Sequence, residues 1–180
     1  MKVYAFGEEN APVILLLPGT CCHWKGNFGH VIALLSDEYR VLCVSYDGFD
    51  ETERTEFPTM LEETAKIEDY LKVNCGGHIR AAYGCSLGGA CLTRLLALGE
   101  LPVKRAIIDG GITPYQLPYL IRKLLLARDM LSFKLAANNR KILEATFPPE
   151  RFTLPGHDPK KEYDAIEAYL KTYSDETIRN

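Results

Sequence analysis

Apolar positions in this chain follow two alternating rhythms up to residue 111 and mainly one beyond it. The runs KVYAF (2–6), PVILLL (12–17), RVLCVSY (40–46), HIRAAYG (78–84) and VKRAIIDGG (103–111) are short and nearly continuous, as expected of strands covered on both faces. Between them lie stretches with helical spacing. Phe28, Val31, Ile32 and Leu35 fall at i, i+3, i+4 and i+7 and predict one helix. Residues 59–73 predict a second, opened by a Thr59/Glu62 capping box, with Leu61, Thr64, Ile67 and Leu71 along one side and a solvated acidic face opposite. SLGGACLTRLLALG (86–99) predicts a third that stops at Gly99. Strands alternating with crossover helices make an α/β fold, a mostly parallel sheet with helices on both faces in three layers.

The alternation ends near residues 111–114. From Thr113 onward, Pro114, Pro118, Pro148, Pro149, Pro155 and Pro159 punctuate helical stretches, and RFTLP (151–155) is the one strand-like segment. The expected division is a core over 1–112 and a helical cap or lid over 113–180. Tyr163, Ile166, Leu170 and Tyr173 mark one helix face in the cap, and Ser174 is a helix N-cap with acids in the turn after it. A helix beginning so near residue 180 suggests the front part of a longer protein whose last strands lie elsewhere, leaving a sheet edge for self-association or a partner to cover.

Composition narrows the classes of function. At 180 residues and 47% hydrophobic, the chain can bury one sizeable core. Its 21 Lys plus Arg against 24 Asp plus Glu give a net charge of −3, without the basic excess that neutralises phosphates, so no nucleic-acid partner is expected. MKVYAFGEEN lacks the apolar stretch of a secretory signal and VILLL is too short to cross a bilayer, so a cytoplasmic protein with no membrane span is expected, its six cysteines as thiols. Cys21, Cys22 and His23 are adjacent and point in different directions, and there is no CxxC, so neither a metal nor another cofactor is expected. Residues 114–141 hold six cations against Asp129, a solvated basic face, and Leu117, Leu120, Leu124, Leu125 and Leu131 are expected to roof a site for a small, partly apolar substrate.

The chemistry centres on GCSLG, residues 84–88. A serine hydroxyl is a weak nucleophile, so an enzyme must expose it, supply a base and stabilise the oxyanion formed by attack. The G-x-S-x-G turn meets the first need, because glycines two positions either side let the chain cross itself between strand and helix. Gly84 and Gly88 hold those positions around Ser86. A nucleophile at Cys85 would need glycines where Tyr83 and Leu87 stand, so Cys85 is read as a packed thiol. A second glycine turn, LLLPGTCCHW, follows an earlier strand.

The pair LLLPGT and GCSLGG resembles the α/β-hydrolase superfamily over residues 2–111. The resemblance implies a serine hydrolase, esterase- or lipase-like, acting on an ester or related carbonyl through an acyl-enzyme, with the backbone amides of Thr20 and Leu87 as oxyanion donors. The superfamily also includes thioesterases, C–C bond hydrolases, acyltransferases and haloperoxidases. Its order places an acid and then a histidine after the nucleophile, which offers Asp109, at the end of RAIID, and His157, the one histidine after Ser86. The usual acid-bearing strand has no counterpart, so a hydrolase-like binding protein without turnover stands as the alternative. His23 and Trp24 are expected to line the pocket; His30 and His78 have no evident role.

Overall fold

The computed structural model describes residues 1–20, 22–111, 117–148 and 156–179. It divides into two compact units, Met1–Tyr115 and Gln116–Arg179. Cys21, the proline-marked boundary around Thr113 and Pro114, and the strand-like RFTLP lie outside the described residues.

The first unit is built on one five-stranded sheet, ordered β1-β3-β2-β4-β5, from β1 (Lys2–Phe6), β2 (Val13–Leu17), β3 (Arg40–Ser45), β4 (Ala81–Cys85) and β5 (Ala106–Asp109). β2, β3, β4 and β5 run parallel. β1 is antiparallel to β3, in register from Lys2↔Ser45 to Phe6↔Val41. The reversal has a simple cause: a parallel return needs a crossover of a dozen or more residues, and residues 7–12 are too few.

Side-chain alternation sorts the core onto two faces. Leu16, Val41 and Cys43 pack against Trp24, Phe28 and Ile32 of α1 (Trp24–Ser36). Leu15, Leu17, Leu42 and Val44 point the other way, and α3 (Leu87–Leu98) lies on β2, β4 and β5 with α2 (Met60–Cys75) beside it. The mostly parallel α/β sheet with helices on both faces is therefore present.

Caps set the helix limits. The Thr59 hydroxyl accepts from Glu62 N–H (3.2 Å) and donates to its carboxylate (3.0 Å), and Gly76 and Gly99 end α2 and α3 in the left-handed region. One face of α2 departs from expectation. Leu61 is exposed, whereas Glu63 is fully buried, accepting the Asp47 N–H at 2.8 Å beside Lys66. Burial pushes the Glu63 carboxyl up from its ordinary range.

The second unit holds α4 (Tyr119–Asn138), α5 (Arg140–Thr146), α6 (Pro159–Leu170) and α7 (Asp175–Arg179). Ala136, Ala137, Leu143, Tyr163, Leu170 and Tyr173 are its buried hydrophobic residues among those described, and Arg140 ties α5 to α6 through Asp164 at 2.8 Å. Ser174 accepts the Thr177 N–H at 3.0 Å and so starts α7. Leu120, Leu124 and Leu131 of α4 are exposed. No described helix is long and apolar enough to cross a membrane.

Candidate active site

Ser86 stands at the junction of β4 and α3, at φ 50° and ψ −115°. Among the described residues it is the one non-glycine with positive φ. An L-residue held there costs roughly 1–3 kcal/mol, and the surrounding structure must over-determine it. Two close approaches do so. A Cβ on Gly84 would lie 2.3 Å from the Gly88 carbonyl oxygen, and one on Gly88 would lie 2.1 Å from the Leu17 carbonyl oxygen. Lacking both, the chain crosses itself and drives the first turn of α3 against the end of β2. The Ser86 N–H donates to the Asp109 carbonyl (2.8 Å) and its own carbonyl accepts from Ala90 (3.0 Å), which fixes the turn at both sides. Ser86 is left exposed at the strand tips.

The second glycine turn meets this elbow. A Cβ on Gly19 would lie 3.6 Å from Ser86 Cβ, an ordinary contact distance. Thr20, the next residue, is exposed. No described residue accepts from its N–H. Leu87 begins α3, so its N–H has no partner within the helix and sits at the positive end of the helix dipole. The turn is held from two sides. The Tyr46 hydroxyl donates to the Pro18 carbonyl at 3.0 Å, and the Gly19 N–H donates to Asn27 Oδ1 at 3.1 Å. Sequence reasoning missed both residues; an asparagine between Gly26 and Phe28 on an otherwise apolar helix face was the available signal.

Cys85 faces away from the nucleophile's role. Its Sγ lies 3.7 Å from Asn27 Oδ1 and 3.9 Å from the Leu17 carbonyl oxygen. Burial, with negative neighbours adding to it, pushes the thiol up to about 11, so it stays protonated and weakly nucleophilic at neutral pH. Burial raises the nearby Cys22 thiol too.

The expected partners of Ser86 are engaged elsewhere. The Asp109 carboxylate accepts from the Tyr83 hydroxyl at 2.7 Å, and that hydrogen bond, with burial, holds the Tyr83 phenol up at about 12. His157 belongs to the second unit, where its exposed ring pairs with Glu162 at 2.7 Å. His23 caps α1 by accepting the Lys25 N–H at 3.3 Å, and burial lowers its pKa. Trp24, expected in a pocket, is instead core: its ring lies 4.7 Å from Tyr4 and 5.3 Å from Phe6, because the first turn of α1 points it at the sheet. Among the described residues no cluster of three His, Cys, Asp or Glu side chains could hold a metal ion. An open groove of about 400 Å³ lies between α1 and the sheet, lined by Asn27, Phe28, Val31, Leu35, Tyr83 and Ile107 among others; Ser86 is not in its lining.

Residues 14–177 match the profile of the alpha/beta hydrolase family. No curated protein matches the chain. Many solved structures share the fold. An alpha/beta hydrolase family protein from Desulfitobacterium hafniense superposes with a TM-score of 0.71 at 19% identity, over 99% of this chain and 69% of that one. The 2-hydroxy-6-oxo-6-phenylhexa-2,4-dienoate hydrolase of a Rhodococcus strain gives 0.67 at 17% identity, covering 98% of this chain and 65% of its own. The enol-lactonase of Burkholderia xenovorans gives 0.65 at 17% identity, with 99% and 65% covered. The chain thus spans about two thirds of the length of these structures.

Proposed function

The chain belongs to the alpha/beta hydrolase family, and on that premise we propose that it carries a serine hydrolase site in which Ser86 attacks the carbonyl of an ester or related acyl bond. The observation that carries the reading is the Ser86 backbone, strained at φ 50° between two glycines packed too closely for any side chain. Strain of this kind gathers at functional sites, because here it lifts a hydroxyl clear of the sheet at the mouth of a helix.

In the proposed reaction the Ser86 oxygen adds to the carbonyl carbon, and its proton passes to a general base. The carbonyl oxygen takes the negative charge and accepts from the N–H groups of Thr20 and Leu87; losing one such donor typically costs about 100- to 1000-fold in turnover. Collapse expels the alcohol, which takes up the proton, and leaves an acyl-enzyme that water then hydrolyses. The base is assigned neither to Asp109, whose carboxylate is held by Tyr83, nor to His157, whose ring is held by Glu162. In this scheme residues 113–180 are the helical cap region, and the substrate is small and partly apolar.

Those same two engagements favour a second reading, a hydrolase-like binding protein without turnover. A fluorophosphonate probe separates the two on the full-length protein. Stoichiometric labelling that disappears in Ser86→Ala is the expected result; absence of labelling would leave the binding protein as the reading to keep.

A further inference from the structure

Three elements converge on one oxygen atom beside the nucleophile. Asn27 Oδ1, on the first turn of α1, accepts the Gly19 N–H at 3.1 Å and lies 3.7 Å from Cys85 Sγ, the residue directly before Ser86. It therefore joins the glycine turn after β2 to the end of β4 through a single side chain.

Nothing in the helix itself calls for an asparagine there. His23 already caps α1, so Asn27 is not needed as a cap. Asparagine is a poor helix former, and here it stands between Gly26 and Phe28, with a second glycine at position 29. A local cost without a local return is the usual mark of a residue kept for a site.

We propose that Asn27 is the positioning residue of the oxyanion turn, engaging the Gly19 amide so that the next one, that of Thr20, is the amide the turn presents beside Ser86. The inference rests on the reading of Ser86 as nucleophile. The Gly19 N–H is already spent on Asn27 and is excluded as a donor to substrate. The Tyr46 hydroxyl donates to the carbonyl of the same peptide unit, that of Pro18, from the other side, so this plane is fixed at both of its polar ends by side chains. The next plane, which carries the Thr20 N–H, is held at the Gly19 carbonyl by the Cys22 N–H at 3.3 Å. A turn fixed in this way costs no reorganisation when negative charge develops, which is the condition under which such donors act.

Asn27→Ala removes the acceptor and leaves the Gly19 amide to re-aim. Two readouts on the full-length protein test this: the second-order rate of Ser86 phosphonylation, and amide hydrogen exchange at Gly19. Ile32→Val, a small core change on the same helix that touches neither turn, controls for lost stability. Asn27→Asp keeps an oxygen at the same position. The expected results are phosphonylation roughly 10- to 100-fold slower in N27A, the wild-type rate in Ile32→Val, faster Gly19 exchange in N27A, and retained protection in N27D. Labelling of N27A at the wild-type rate overturns the positioning role while leaving the nucleophile in place. Equal loss of Gly19 protection in N27A and N27D overturns it as well, since the oxygen would then not be what holds the amide. No labelling of the wild-type protein is the failure of the nucleophile reading itself, visible before any variant is compared.

Discussion

β3 and β5 are both short, apolar strands, each with a parallel neighbour, and the protein treats them in opposite ways. Val41, Leu42, Cys43 and Val44 of β3 are sealed between β1 and β2, with α1 packed on one face. β5 pairs only with β4 among the described residues, and its Ile107 and Ile108 remain 61% and 45% exposed. Apolarity states what a strand is able to bury; its neighbours decide what is buried. The glycine-flanked turn at Ser86 lies between these extremes, built on β4 and tied to β5 through the Asp109 carbonyl.

The largest expected difference is in stability. Leu42→Ala should lower unfolding free energy by about 2–5 kcal/mol, through lost burial and the cavity left behind. Ile107→Ala should change it by no more than about 0.5 kcal/mol. Denaturant titration of both measures the contrast, and equal losses would mean that β5 is covered in solution.

Amide exchange should follow the same division. β3 amides are expected to open only with global unfolding, and those on the outer edge of β5 to exchange orders of magnitude faster. Protection of that edge at high concentration alone would point to pairing between copies. An open edge with apolar side chains is a template for such pairing. Concentration-dependent association in sedimentation velocity is therefore expected, abolished by Ile107→Lys. A protein that is monomeric at every concentration would break this part of the comparison.

The smallest effect concerns the link between β4 and β5. The Tyr83 phenol titrates near 12 because its hydrogen bond to Asp109 favours the neutral form. A raised value means that this contact stabilises the fold below pH 10 and is lost as pH climbs from there through about 12. Asp109→Asn should bring the titration of Tyr83 back toward that of an ordinary tyrosine, read by NMR of ring-labelled tyrosine.

What the sequence revealed follows the range of the forces involved. The Gly84-x-Ser86-x-Gly88 elbow was legible because its requirements are local: three positions fix one backbone crossing. The capping box at Thr59 and the stop at Gly99 were legible for the same reason. Glu63 was not. It stands among acids on a helix, and only Asp47, sixteen residues away, explains its burial. The antiparallel direction of β1 was missed because an apolar run carries no sign of its partner's polarity. Trp24 was placed in a pocket because it follows a glycine turn, whereas the helix it begins turns it toward the sheet. Asn27 acts through a bond to another element, and neither propensity nor periodicity records such bonds.

The strained backbone of Ser86 also has a thermodynamic side. Under the proposed function, holding Ser86 in a disfavoured conformation gives up folding free energy in exchange for the capacity to react. Glycine adopts that conformation freely, so Ser86→Gly should recover part of the roughly 1–3 kcal/mol of strain, less the added freedom it gives the unfolded chain. The variant that the proposed function makes inert would then be the sturdier molecule, the exchange of durability for reactivity that such sites make.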